Sequence, residues 1–178
     1  YFEKIIFSKL GGPEVLQYVD YELQSKISDN EVRIKQTSIG INYIDTYHRS
    51  GMYPLPIKLP ACPGLEASGE VIGSGNNVRG FKIGDRVCYA TVPIGAYCEI
   101  RDFPSSGLIK IPDSISNDTA ASTLLKGMTV EYLFERLYKI KKDEYILFHA
   151  AAGGVGLIAC QWAKSLGCKM IGTVSTNE

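Results

Sequence analysis

The residues best placed to do chemistry in this 178-residue chain form a run near its end, Ala150-Ala151-Ala152-Gly153-Gly154-Val155-Gly156. It follows an apolar, strand-like segment, Tyr145-Ile-Leu-Phe-His-Ala, and precedes Leu157-Ile-Ala-Cys-Gln-Trp-Ala-Lys-Ser-Leu, which reads as a helix. Gly167 supplies a helix stop, and Cys168-Lys-Met-Ile-Gly-Thr-Val reads as a second apolar strand. Strand, glycine turn, helix and strand is the context in which a Gly-x-Gly-x-x-Gly turn binds the pyrophosphate of a dinucleotide. Ala152, Gly153, Gly154, Val155 and Gly156 are therefore candidate cofactor-binding residues. Gly153 admits the backbone close to a phosphate, and Gly156 lets the helix pack on its strand. The unpaired N–H groups of a helix starting near Gly154 offer the positive dipole end to the anion. Ala151 stands where the pattern has its first glycine, so a plain glycine-rich turn stays an open alternative.

The second strand should end at the group that meets the adenosine ribose. An acid there selects the 2′-hydroxyl, and its absence leaves room for a 2′-phosphate. This strand ends Thr173-Val-Ser-Thr-Asn, with no acid before Glu178. Thr173, Ser175 and Thr176 can donate hydrogen bonds to a phosphate, which favours NADPH. A strand end displaced to Glu178 would reverse that preference.

The rest of the composition narrows the class. Nineteen basic residues balance nineteen acidic ones. That balance argues against an electrostatic nucleic-acid binder or a polybasic membrane module. No apolar run approaches the roughly 18 to 20 residues of a membrane span. The five cysteines, Cys62, Cys88, Cys98, Cys160 and Cys168, contain no Cys-x-x-Cys pair. Reduced thiols of a cytoplasmic protein fit better than a disulfide framework or a structural zinc site. The two histidines, His48 and His149, lack co-ligand spacing. His149 ends an apolar run and reads as a packed, structural histidine. No Gly-x-Ser-x-Gly elbow is present to anchor a hydrolase triad.

The elements that must carry a site divide into two patterns. Residues 2–97 read as short strands broken by Gly, Pro and Asn, among them 31–35, 69–73, 86–90 and 96–100, which predicts a β-rich, barrel-like domain. From Ser116 the pattern turns helical. Ser116-Asn-Asp-Thr is cap-competent, Leu124, Met128, Tyr132 and Leu133 recur at helical spacing, and Gly127 is expected to separate two helical pieces. The segment 145–150 is expected to be a strand buried on both faces, as in parallel sheets.

Longer motifs carry a resemblance. Asp143-Glu144-x-x-Leu147-x-x-x-Ala151-Ala152-Gly153-Gly154-x-Gly156, then Gln161-x-x-Lys164, is similar to the signature of zeta-crystallin-type quinone oxidoreductases. These belong to the medium-chain dehydrogenase/reductase superfamily. Upstream, Gly11-Gly-Pro-Glu-Val-Leu, Gly40-Ile-Asn-Tyr-Ile-Asp-Thr-Tyr, Arg49-Ser-Gly-Met-Tyr-Pro and Pro63-Gly-Leu-Glu-Ala-Ser-Gly resemble that family's GroES-like catalytic domain. The resemblance covers essentially the whole chain and implies an α/β protein. Residues 1–124 would form a GroES-like β-barrel catalytic domain, and residues 125–178 the beginning of a Rossmann NADP-binding domain.

Zinc alcohol dehydrogenases of the superfamily carry a Cys ligand where this chain has Asn42, and Gly-His-Glu where it reads Gly64-Leu65-Glu66. Leu cannot ligate a metal and an amide is a poor zinc ligand, so no metal site is expected. Glu66 is then read as a structural acid. The resemblance implies that Asn42, Tyr47 and Tyr53 line the nicotinamide and quinone pocket as catalytic residues, with Asn42 also touching the cofactor. It further implies that Lys126 and Thr129 begin a helix on the nicotinamide side. Half-buried packing for the tyrosines and a surface position for Lys126 remain open alternatives.

The resemblance implies a zinc-independent enzyme moving a hydride from NADPH to a small quinone, working as a cytoplasmic homodimer. An NADPH-dependent enone or 2-alkenal reductase would use the same scaffold. A non-catalytic member, structural or RNA-binding, is the third reading, and the zero net charge disfavours RNA. A full dinucleotide domain has about six parallel strands, of which this chain supplies two. The expectation is a partial chain of a longer protein.

Overall fold

The computed structural model describes residues 1–175, and its 178-residue chain falls into two compact units, Tyr1–Thr123 and Leu124–Glu178. The first unit opens with β1 (Phe2–Phe7) and β2 (Leu16–Tyr21), paired antiparallel. It continues with β3 (Glu31–Gly40), α1 (Tyr43–Ser50), β4 (Glu66–Ser74), β5 (Arg86–Ala90), β6 (Ile100–Pro104) and β7 (Ile109–Lys110). The last five strands form an antiparallel sheet in the order β6-β3-β4-β5-β7.

Alternation builds this sheet. Val32 and Ile34 point inward from β3 while Arg33 and Lys35 point away, so one face buries apolar surface and the other carries the charges. Arg33 meets Asp102 across β3 and β6 at 2.7 Å. The inward residues join Val71, Val87, Tyr89 and Phe103 in one core. Tyr89 and Phe103 stack at 4.1 Å between centroids. Each such side chain contributes about 1.5–3 kcal/mol when fully buried.

Residues 96–100 were expected to be a strand; the regular pairing instead starts at Ile100 and runs to Pro104. The segment before it is held by loop contacts, with Gly64 O accepting from Gly95 N and Ala96 N, and Pro63 O from Tyr97 N. Residues 97–99 also pair with β1, through an antiparallel bridge of Lys4 to Cys98 and the bonds Ile5 N to Tyr97 O and Glu99 N to Glu3 O, so the alternation of Ala96-Tyr-Cys-Glu-Ile reflects an extended segment that is only in part a regular strand.

Helix α2 (Asn117–Glu131) starts at Ser116, whose hydroxyl accepts from the Thr119 N–H at 3.0 Å, and the division between units falls within this helix. Gly127 was expected to break it, yet the helix runs through Gly127 and continues into a wider π-helical turn, Tyr132–Leu137. A single glycine costs a helix only about 1 kcal/mol, and the burial of Val130 and Phe134 on the following turns outweighs it. Beyond the turn lie β8 (Tyr145–Phe148), α3 (Gly154–Ser165) and β9 (Lys169–Gly172). β8 and β9 pair in parallel, from Tyr145 opposite Lys169 to Phe148 opposite Gly172.

One face of this pair is covered. Ile146, Phe148 and Met170 pack against Val130, Phe134, Ala159, Ala163 and Trp162. The expected burial of β8 on both faces does not hold: Tyr145 is 71% and Leu147 62% exposed, because α3 covers the other side of the pleat. His149 is likewise exposed rather than packed, its Nδ1 lying 3.1 Å from Thr173 Oγ1. Among the described residues no helix is long and apolar enough to cross a membrane.

Candidate active site

In the first unit the candidate residues gather around the head of α1. Asn42 is the N-cap, and Asp45 Oδ2 accepts from its N–H at 3.0 Å, so the two close the helix start reciprocally. Gly51, at φ 82°, ends the helix in the left-handed conformation. Asn42 is buried, and its Nδ2 donates to Glu66 Oε2 at 2.8 Å. Glu66 is wholly buried at the start of β4. Burying a carboxylate is costly unless it is hydrogen-bonded, so this contact anchors the loop before α1 to the sheet. Tyr97 donates to Asp45 Oδ2 at 2.9 Å, and burial first, then the neighbouring Asp45, pushes the Tyr97 hydroxyl pKa upward.

The tyrosines form a run along this helix. Tyr47 and Tyr53 are 5.1 Å apart between centroids, and the Tyr53 N–H donates to Tyr47 O at 3.2 Å. Tyr43, one turn earlier, lies 6.3 Å from Tyr47. Tyr43 and Tyr53 are exposed and Tyr47 half-buried, so the unit presents a row of flat aromatic faces with polar tips.

In the second unit the glycine turn lies between β8 and α3, where the sequence places it. Gly153 is the extended N-cap of α3. The first turn of a helix leaves its N–H groups without helical partners, which aims the positive end of α3 out of the turn. Gly156 is where α3 meets the turn before it: a β-carbon there would lie 2.5 Å from both Ala150 O and Ala151 O. The Lys126 arm crosses the turn, its Cε 3.0 Å from the place of a β-carbon on Gly154. The aliphatic arm of Lys126 thus lies against exposed Gly154.

The remaining candidates separate. Lys126 and Thr129 were expected to begin a helix; they lie in its last turns, and the Thr129 hydroxyl donates to Leu125 O in its own helix at 2.9 Å. Thr173 is committed to the turn itself: its O accepts from Ala151 N at 3.0 Å and its Oγ1 from Ala150 N at 3.3 Å. Ala152 and Ser175 are exposed and Val155 half-buried, while Thr176 lies outside the described residues. Three contributors escaped the sequence reading: Tyr43, Asp45 and Tyr97. The signal for Asp45 was present, since Asn at a cap followed three residues later by an acid, with Gly51 beyond, outlines a short helix.

Fold and site together define a GroES-like domain followed by a glycine-turn βαβ unit. Residues 28–113 match the alcohol dehydrogenase GroES-like domain. A quinone oxidoreductase of Pseudomonas aeruginosa is 51% identical over 99% of this chain, which covers 54% of that protein. The crystal structure of Escherichia coli quinone oxidoreductase complexed with NADPH superposes with a TM-score of 0.94 at 51% identity, over 98% of this chain and 53% of that one. A 2-haloacrylate reductase of Burkholderia is 41% identical over 97% of the chain and 53% of its own length. Along nearly its whole length the chain is similar to these quinone oxidoreductases. It spans about half the length of these relatives.

Proposed function

We propose that this chain is part of a zinc-independent oxidoreductase that passes a hydride from NADPH to a quinone. Residues 1–124 act as the catalytic domain and residues 125–178 begin the NADP-binding domain. The observation that carries the reading is the glycine turn, where Lys126 lies over Gly154 and no acid stands on the described end of β9. The turn fits a dinucleotide: its exposed stretch, Ala152, Gly153 and Gly154, has no side chain larger than a methyl, and the start of α3 offers N–H donors to an anion. An aspartate after β9 would repel a 2′-phosphate, and the sequence there, with Ser175 followed by Thr176, favours NADPH over NADH.

When bound, NADPH supplies the hydride from nicotinamide C4. The protein's part is to hold the acceptor and exclude water. Tyr47 and Tyr53 offer flat faces to a planar acceptor. Asn42 and Glu66 hold α1, and hence both tyrosines, in register with the sheet. Zinc-independence is supported by the donor set: Leu65 has no donor atom, and the Asn42 amide nitrogen is already given to Glu66. A quinone needs little polarisation to accept a hydride, and solvent can protonate its oxygen. A cytoplasmic homodimer belongs to the same proposal, supported by five free cysteines for the compartment. The balanced charge supports the absence of a nucleic-acid partner.

A second reading, reduction of an activated alkene by NADPH, is favoured by the similarity to 2-haloacrylate reductase. The test is NADPH oxidation by the intact gene product with a small para-quinone, in EDTA, with NADH as parallel donor and an enone as parallel acceptor. Turnover with NADPH and quinone that ignores EDTA is expected. EDTA-sensitive turnover overturns zinc-independence, and faster turnover of the enone selects the second reading.

A further inference from the structure

Two cysteines of the first unit, far apart in sequence, meet in the fold. The backbone bond from Tyr97 N to Pro63 O, and those from Gly95 N and Ala96 N to Gly64 O, run the two segments antiparallel. Cys98 therefore lies across from Cys62, whose Sγ donates to Tyr97 O, the carbonyl next to Cys98, at 3.4 Å. A disulfide needs β-carbons roughly 3.5–4.5 Å apart, so the two loop segments must close on each other to join these cysteines.

The pair has a way in. Cys98 lines an open cavity of about 430 Å³ with Lys4, Gln36 and Tyr97. The two thiols differ in character. The neighbouring Cys62 thiol first, then the charge of Arg101, the Tyr21 hydroxyl and the charge of Lys4, lower the Cys98 pKa. Gln36 Nε2 also donates to Cys98 Sγ at 3.4 Å. Cys62 is pushed the other way by its Cys98 neighbour and by burial. These directions favour Cys98 as the attacking sulfur. The other cysteines lie elsewhere: Cys88 is buried against Ile109 O, Cys160 lies beside Met170, and Cys168 beside Lys141 O.

We propose that Cys62 and Cys98 are a redox-active pair, oxidised by a small hydroperoxide to an intramolecular disulfide. Cys98 sulfur attacks one peroxide oxygen and the O–O bond breaks, leaving Cys98 as a sulfenic acid while the departing oxygen takes up a proton. Cys62 sulfur then attacks Cys98 sulfur, the S–O bond breaks, and water leaves with the Cys62 proton. The thiols lose two electrons and the peroxide gains them. Cys98 is the attacking residue and Cys62 the resolving one.

The intact protein is treated with hydrogen peroxide, its remaining thiols are alkylated, and its tryptic peptides are weighed. A Cys88→Ser background leaves one cysteine in the peptide of residues 87–101; fragmentation of the wild-type peptide gives the same assignment should that variant not fold. The expected product joins residues 59–79 to residues 87–101, about 2 Da lighter than the two thiols and split by dithiothreitol. Cys62→Ser should abolish the link and leave a sulfenic acid on Cys98 that dimedone traps. The proposal is overturned if both thiols stay alkylatable after Cys160 or Cys168 has been oxidised. It is equally overturned if Cys98 oxidises in the wild type without joining Cys62.

Discussion

The aliphatic arm of Lys126 lies across Gly154, with Cε 3.0 Å and Cδ 3.1 Å from the place a β-carbon on Gly154 would take. The contact joins a residue of α2 to the glycine turn. A methyl on Gly154 meets the far end of a flexible chain, which can swing aside. We expect Gly154→Ala to keep its melting temperature while the KM for NADPH rises several-fold, and Lys126→Ala to raise it by about tenfold, the equivalent of 1.4 kcal/mol. Unchanged KM in both variants would remove Lys126 from the site.

Gly156 contrasts with its neighbour. A β-carbon there runs into two backbone oxygens at 2.5 Å, which cannot rotate away. Gly156→Ala must push α3 off the turn at Ala150 and Ala151 and should cost about 1–3 kcal/mol, seen as a lower urea midpoint. A midpoint equal to that of Gly154→Ala would contradict the close approach of α3 to the turn.

The Asn42–Glu66 contact predicts an asymmetry between its partners. Glu66→Gln keeps an oxygen to accept from Asn42 Nδ2 and should retain most of the stability. Asn42→Ala leaves the buried Glu66 oxygen without that donor and should cost about 1–3 kcal/mol. Thermal melts of the two variants decide this, and equal losses would mean that the hydrogen bond does not hold α1.

Asp85 offers a test by pH. Its Oδ2 lies 2.7 Å from Lys110 Nζ and accepts from Lys82 N, and these contacts, the lysine first, depress the carboxyl pKa. A carboxylate with a depressed folded pKa stabilises above its unfolded value, about 3.9, and loses that contribution as pH falls toward the folded one. Asp85→Asn should therefore be less stable than wild type at pH 7, with the gap closing below about pH 4. A gap that stays constant from pH 7 to pH 3 would assign the loss to packing rather than to charge.

What was legible in the sequence is what depends on near neighbours along the chain. The turn at Gly153 and Gly156, the helix after it and the strands on either side follow from glycine spacing and apolar period within some thirty residues, as does the Ser116 cap. Helix α1 was missed because it spans eight mostly polar residues, too short for a period to emerge, and its evidence lay in Asn42, Asp45 and Gly51 at its ends. The strand at Ile100 was misplaced because an extended loop and a strand share the same alternation.

Tertiary structure decided the pairings. Asn42 meets Glu66 because β3 and β4 pair with Gly40 opposite Glu66, and a slip of one residue would turn that carboxylate to the other face. Lys126 reaches Gly154, Thr173 ties down Ala150 and Ala151, and Cys98 faces Cys62 only after distant segments have packed. Local propensity acts over a few residues, whereas these contacts depend on strand register and helix packing, which are settled only when the whole unit buries its core.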